Sequence, residues 1–295
     1  MKLKYLFCLI LLTLVFYSCR NEPLAKHKEG YVTVEGGKIW YRILGNGKKT
    51  PLLMMHGGPG GTHRSFYQLE PLAQDRPLIL FDQLGSGKSG FHKDTTLLKV
   101  DEFVAQVQAE RQALELKEVY LHGHSGGTAL ALETYLAHPE GVKAIVFNSP
   151  YFSTAIWEAD ADTLITYLPD SIQKAIETGE REGVFTSKGY QQANRVFMKN
   201  YGVRKERPSN PWDTVKAKRT DFIYNYRWGP TEFTATGSLK SYDRFENLKD
   251  IKVPVLFLTG EFDEARPSTV RRFHNQVRGS EFIVIEGAGH GTMHD

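Results

Sequence analysis

Cysteine is nearly absent from this chain: among 295 residues only Cys8 and Cys19 carry a thiol, and both lie in the first twenty positions. Whatever folds after them has no internal disulfide framework. The N-terminal apolar run, Tyr5 to Phe16, is too short for a membrane-spanning helix, which needs ~20 residues. A surplus of one charge is missing too. Lys and Arg total 37 against 34 Asp and Glu, and a formal net charge of +3 gives no reason to expect nucleic acid as a partner. The most basic stretch, Arg204 to Arg219, is interrupted by Glu206 and Asp213 and reads as a solvated helical or loop face. Internal repeats and low-complexity tracts are lacking, and 41% hydrophobic with 24% charged residues is an ordinary globular composition.

What is present begins with a targeting segment. Lys2 and Lys4 precede the short apolar run, and Tyr17, Ser18 and Cys19 follow it. Basic start, short apolar core and small residue form the pattern of a secretory signal. Its Ser18-Cys19 end resembles a bacterial lipoprotein signal, in which the cysteine is lipidated and becomes the first residue. Phe16 and Tyr17 depart from the usual Leu and small residue of that motif, and a plain cleaved signal is the alternative. Residues 1–18 are thus expected to be the signal and residues 19–30 a polar tether. The protein would be exported, at the periplasm or cell surface, and held to a membrane through a lipid anchor only.

Beyond the tether, short apolar segments alternate with amphipathic ones. Tyr31 to Leu44 surrounds the turn signal Gly36-Gly37 and predicts a hairpin. Pro51 to Met55, Pro77 to Phe81, Val119 to Leu121 and Val142 to Phe147 predict strands, as do Val253 to Leu258 and Phe282 to Ile285. Helices are expected after Asp101, which can cap one carrying Phe103, Val104, Val107 and Leu114, over Thr128 to Ala137, and near Thr269 to Val277. This rhythm argues a mostly parallel sheet with helices on both faces. It breaks between about Tyr151 and Leu239, a segment rich in Trp and Tyr that reads as a mainly helical insertion. The expected organisation is a core of residues 31–150 and 240–295 with a helical cap over 151–239.

Chemistry concentrates where predicted strands end. Gly123-His124-Ser125-Gly126-Gly127 is a G-x-S-x-G turn between a strand and a helix, the nucleophile elbow of the α/β-hydrolase fold. Its glycines let the chain reverse sharply and hold the Ser125 hydroxyl clear of the sheet. Alone the pattern is weak; the strand before it and the helix after it make it informative. His56-Gly57-Gly58-Pro59-Gly60 follows an earlier strand, so the amides of Gly58 and Gly126 are candidates for the oxyanion hole. This fold supplies its triad in the order Ser, acid, His. Asp263, in Thr259-Gly260-Glu261-Phe262-Asp263, and His290, in Glu286-Gly287-Ala288-Gly289-His290, meet that order. His294 is the weaker base, and His122 and His124 sit so close to Ser125 along the strand that their side chains are expected to point elsewhere. Gly85-Ser86-Gly87-Lys88-Ser89 imitates the end of a phosphate-binding loop, but Asp82 stands where that motif needs glycine. No nucleotide site, metal or organic cofactor is implied.

HGGPG at His56 to Gly60, DQLGSGKS at Asp82 to Ser89 and GHSGG at Gly123 to Gly127 resemble the proline iminopeptidase family. GPTEFTATGSLKSYD, VPVLFLTGEFDEARP and GAGH resemble more specifically its tricorn-interacting aminopeptidase branch. The likeness runs from about Tyr31 to the end. It implies an enzyme that removes N-terminal residues, proline by family habit, from short peptides with a free N-terminus. It also implies that two acidic residues, matched here by Glu232 and Glu264, hold the substrate ammonium, because a charge in a covered pocket must be paired. Otherwise Glu232 is a capping or ion-pairing residue and Glu264 a loop carboxylate. The family places Trp or Tyr directly after the nucleophile, and Gly126 stands there instead, so one wall of the site is expected to be missing. Relatives also run on into a terminal helix, whereas this chain stops at Asp295; apolar surface is therefore expected beside His290. Two rivals remain open: an esterase, lactonase or amidase with the same triad, and a catalytically silent binding protein.

Overall fold

The structure, a computed structural model, describes residues 27–90, 93–206, 212 and 221–295. The expected signal segment, Cys19 and most of the basic stretch from Arg204 to Arg219 lie outside the described residues.

Eight strands form one sheet in the order β1-β2-β4-β3-β5-β6-β7-β8. They are β1 (His27–Val34), β2 (Gly37–Leu44), β3 (Leu52–Met55), β4 (Leu78–Phe81), β5 (Val119–His124), β6 (Val142–Asn148), β7 (Val255–Gly260) and β8 (Glu281–Ile285). The hairpin β1–β2 is antiparallel and β2 runs antiparallel to β4; from β4 through β3 to β8 every pairing is parallel. Every side chain of β3 and β4 is buried, as a parallel sheet covered on both faces requires. The tether is shorter than expected, because residues 27–30 already belong to β1, paired in register from His27–Leu44 onward. Their polarity hid this. Glu29 is a strand residue whose carboxylate gathers Arg42, Lys88 and the Trp40 indole N–H.

Helices α1 (Val100–Ala113) and α2 (Gly126–Ala137) pack on the sheet and on each other. Asp101 lies in the first turn of α1 rather than at its cap, which is Lys99; its charge still suits the positive end of the helix. Between β6 and β7 come α3 (Thr154–Ile165), α4 (Asp170–Glu182), α5 (Lys188–Phe197) and α6 (Asp221–Arg227). Ser153 and Ser187 cap α3 and α5 by accepting from Ile156 N and Tyr190 N. The insertion has a small core of its own around Leu164, Ile176, Tyr190, Phe197 and Phe233. Three other aromatics of the insertion, Trp157, Tyr224 and Trp228, join the main core with Tyr151 and Phe103, so the cap is fastened to the sheet domain by aromatic packing. Helix α7 (Pro267–Gln276) links β7 to β8.

The chain end folds back. Asp295 accepts from the backbone N–H of Gly289, Arg204 and Lys205, and His290 is buried. Exposed apolar side chains in this part of the chain are Phe262, next to Asp263, and Ile283 and Val284 on β8. The phosphate-loop lookalike is folded around a carboxylate: Asp82 accepts from the His63 backbone and ring and from Lys88 N, which leaves no cradle for an anion.

Candidate active site

The loops after β3, β5, β7 and β8 leave the carboxyl edge of the sheet together, where open α/β sheets place their sites. Ser125 sits between β5 and α2 with φ 55° and ψ −129°, a conformation costing about 1–3 kcal/mol. Neighbouring bonds hold it there. Ser125 N donates to Asn148 O at 3.0 Å, and Thr128 donates to Ser125 O from its backbone at 2.8 Å and its hydroxyl at 2.6 Å. The flanking glycines are obligatory. A Cβ on Gly123 would lie 2.4 Å from Gly127 O, and one on Gly127 only 2.0 Å from Met55 O.

Gly126 is different. A Cβ there would have no neighbour nearer than Gly58 N at 3.7 Å, so a side chain would fit and its absence leaves open space. The same distance puts the Gly58 amide in the corner where α2 begins. Gly126 N is one of the orphan donors of a helix start, and neither amide is taken by another backbone carbonyl among the described residues. His56 fixes the Gly58 loop: its Nε2 accepts from Gln83 N at 3.1 Å while its Nδ1 faces Gly57 O at 3.1 Å. Since a carbonyl only accepts, Nδ1 carries the proton.

His290 Nδ1 lies 2.8 Å from Asp263 Oδ1. Asp263 also accepts from Ala265 N at 2.8 Å and from the Thr259 hydroxyl at 3.0 Å. Burial opposes its charge, but His290, the Ser149 hydroxyl and the Ala265 amide hold its pKa below the usual carboxylate value. His290 and Ser125 line the same cleft, and the buried Nε2 of His290 makes no hydrogen bond. That nitrogen is therefore open to the Ser125 proton. The pKa of His290 is raised to about 9: burial lowers it, and Asp263, Glu264 and Glu232 more than compensate. His294 lines the cleft, but the imidazole that pairs with Asp263 is that of His290.

One residue that sequence reasoning set aside and one that it did not single out take part. His124 does not point away: its ring centroid is 5.0 Å from that of His290, and its Nε2 donates to His290 O at 2.9 Å. Burial, and then the charge of His290, lowers its pKa to about 3, so it stays neutral and acts as a strut. Alternation along a strand sets His124 on the face opposite Gly123, and its contact is with His290, 166 residues on, which only the fold brings to it. Trp157, from the cap, meets the His290 ring edge-to-face at 5.5 Å and donates its indole N–H to Glu232 O at 2.9 Å. No local pattern marks it out from the other cap aromatics.

Glu264 is 2% exposed, and neither of its carboxylate oxygens has a hydrogen-bond partner. Beside it stands His290, with Nδ1 3.8 Å from Oε1. Burial pushes its pKa well above the usual value; the His290 charge opposes this, while Glu232 and Asp263 add to it. Glu232 lines the cleft shared by Ser125 and His290 and also a second cavity on the other side of Ser125. The structure thus brings Ser125, Asp263, His290, Gly58, Gly126, Glu232 and Glu264 to one place.

A strained serine, a buried Asp–His pair and two free amides at the carboxyl edge of such a sheet define a hydrolase of the α/β type, and residues 50–295 match the family model for the alpha/beta hydrolase fold. More narrowly, the chain is 41% identical to a proline iminopeptidase from Heyndrickxia coagulans over 90% of its own length and 92% of that protein's. It is 34% identical to one from Lactobacillus acidophilus over 89% and 91%. The crystal structure of the Mycobacterium smegmatis proline iminopeptidase superposes with a TM-score of 0.81 at 27% identity, covering 90% of this chain and 92% of that one. The chain belongs to the proline iminopeptidase family.

Proposed function

We propose that this hydrolase is a serine aminopeptidase that releases N-terminal proline from short peptides, with Ser125, Asp263 and His290 as its triad. The observation that carries this is Glu264: a buried carboxylate with no hydrogen-bond partner, beside Glu232 and next to Asp263, is the counter-charge an α-ammonium needs. Similarity to proline iminopeptidases supports proline as the released residue, and the late sequence segments favour the tricorn-interacting branch.

In the reaction, Ser125 Oγ attacks the first carbonyl carbon and its proton passes to His290 Nε2. The amides of Gly58 and Gly126 receive the oxyanion. When the intermediate collapses, His290 gives its proton to the leaving amine and an acyl-enzyme remains. Water then attacks, His290 taking one proton and returning it to Ser125, and the free amino acid leaves. A pKa of about 9 would keep His290 protonated and idle at neutral pH. Asp263 is the main group that raises it; an ammonium set between Glu232 and Glu264 offsets the further part those two contribute, so substrate binding shifts His290 toward its neutral form.

The test compares kcat/KM for free and N-acetylated prolyl amides, with nitrophenyl esters alongside. The free amide should be far the better substrate. If the acetylated amide is cleaved equally well, an esterase or amidase takes the place of the aminopeptidase.

We also propose that Cys19 carries a lipid anchor that holds the exported enzyme at a membrane; the support is the sequence from Lys2 to Cys19. Each buried acyl methylene contributes ~0.8 kcal/mol, so several chains anchor firmly. Extraction should need detergent, and Cys19→Ser should release the protein or leave an uncleaved precursor. Wild-type protein found wholly in the soluble fraction would end this claim.

A further inference from the structure

Ser125 has a cavity on each side. One is the cleft with His290; the other, about 660 Å³ of empty space partly open to solvent, runs from Gly58 and Gly126 toward α1 and the cap. Phe103, Tyr151, Trp157, Tyr224 and Trp228 give it aromatic walls, and Glu232 stands at the boundary of the two. On the proposed function, the substrate's ammonium lies at Glu232 and its carbonyl at Ser125. The leaving chain departs through the open cleft, so the first side chain enters this aromatic cavity. A side chain on Gly126 would narrow the entrance; none is there.

The cavity also holds a charge. Arg227, at the end of α6, lines it and is 8% exposed. Its guanidinium carbon sits 4.4 Å from the centroid of the Phe103 ring. That contact covers one face of the cation but satisfies none of its five N–H donors. Among the described residues Arg227 makes no side-chain hydrogen bond or ion pair, and its buried Nε has no partner. Burial lowers its pKa to about 10, with Tyr151 and Tyr242 opposing, so it remains charged at neutral pH. If packing were the only requirement, methionine would serve as well. A buried, unpaired guanidinium in a substrate chamber is costly until an anion meets it.

We infer that Arg227 recognises an acidic side chain on the substrate's first residue, so that N-terminal glutamate or aspartate is cleaved in preference to its neutral amide counterpart. This rests on the aminopeptidase reading. The substrate would then be held at two points by opposite charges: its ammonium by Glu232 and Glu264, and its carboxylate by Arg227. Arg227 makes no ion pair with either glutamate, so each group is available to its own end of the residue.

The experiment measures kcat/KM for glutamyl, glutaminyl and prolyl naphthylamides with wild type, Arg227→Met and Arg227→Lys. The wild type should favour glutamyl over glutaminyl by at least about tenfold, as expected where a site is built around one polar group. Arg227→Met should bring that ratio near one, and Arg227→Lys should keep part of it. Should the variants fail to fold, competition in wild type decides: free glutamate should inhibit prolyl-amide cleavage at lower concentration than glutamine. Equal handling of glutamyl and glutaminyl amides beside good prolyl cleavage overturns this inference and leaves the aminopeptidase standing. So does a glutamyl preference that survives Arg227→Met. Failure on every free-terminus amide, with esters still cleaved, removes the proposed function and this inference together.

Discussion

The two sides of Ser125 are built on opposite principles. Toward His290, polar atoms are paired: Asp263 accepts from His290, Ala265 N and Thr259, and His124 braces the His290 carbonyl. Only His290 Nε2, the atom that must receive a proton, is left without a partner in that group. Outside that group, buried polar atoms stand without hydrogen-bond partners: both oxygens of Glu264, which lies 3.8 Å from His290 Nδ1, and, toward the cap, the Nε of Arg227. Buried polar groups are nearly always hydrogen-bonded, so each exception asks for a cause. The paired side has to be rigid before substrate arrives. The unpaired side is completed by substrate, and its cost is recovered on binding.

If that division is right, the largest losses come from the paired side and fall on every substrate alike. Ser125→Ala should lower turnover by up to about six orders of magnitude. Asp263→Asn, which leaves the packing intact but favours the wrong His290 tautomer, should cost about four. Both should appear with prolyl amides and nitrophenyl esters equally, in single-turnover assays on protein whose circular dichroism matches wild type. A well-folded Ser125→Ala enzyme with near wild-type activity would remove Ser125 from the mechanism.

Losses on the unpaired side should depend on the substrate. Glu232→Gln and Glu264→Gln remove one partner of a covered ion pair, an effect of about 2–5 kcal/mol on peptide cleavage. A small neutral ester never uses the clamp and should lose far less. Uniform, small effects on both substrates would merge the two sides into one. The pH profile sharpens this further. The base must be neutral, so ester hydrolysis by wild type should rise with pH through about 9, the pKa of His290. Because Glu264 helps to raise that pKa, Glu264→Gln should move the rise to lower pH.

The paired side is largely legible in the sequence, because backbone geometry enforces it. Gly123 and Gly127 are glycine because carbonyl oxygens stand where a Cβ would go, and short apolar runs fix where each loop leaves the sheet. The predicted strands agree with the observed ones within a few residues; the first extends back to His27 because Glu29 is paired across the strands rather than solvated. His124 is misjudged because the group it supports, His290, lies 166 residues on and is brought to it only by the fold. The unpaired side is half legible. Glu232 and Glu264 come from family resemblance, not from any local pattern. Arg227 goes unnoticed because an arginine before a tryptophan carries no local signal; only the fold shows that it is buried without an anion. Cap aromatics such as Trp157 look alike in sequence and separate only when the chain decides which of them face the site.

The smallest expected effect concerns stability, and its sign separates the two sides most directly. A group whose folded pKa is raised is protonated more readily in the folded state than in the unfolded one. For Glu264 the folded value lies well above 4.5. Below the unfolded value both states carry the proton and the fold bears no penalty; as pH rises from there toward the folded value, stability is lost, because only the unfolded chain ionises freely. Glu264→Gln removes that ionisation. It should therefore raise the unfolding free energy at neutral pH, by about 1.4 kcal/mol for each pH unit over which only the unfolded chain ionises, and should add little near pH 4. Asp263→Asn is the opposite case: the folded pKa of Asp263 is lowered, so its charge stabilises the fold above the unfolded value and the variant should be less stable at neutral pH. Denaturant melts of wild type and both variants at pH 4 and pH 7, without substrate, provide the comparison. A loss of stability in Glu264→Gln at neutral pH would mean that Glu264 is satisfied in the free enzyme, and the idea of a side completed only by substrate would fail there.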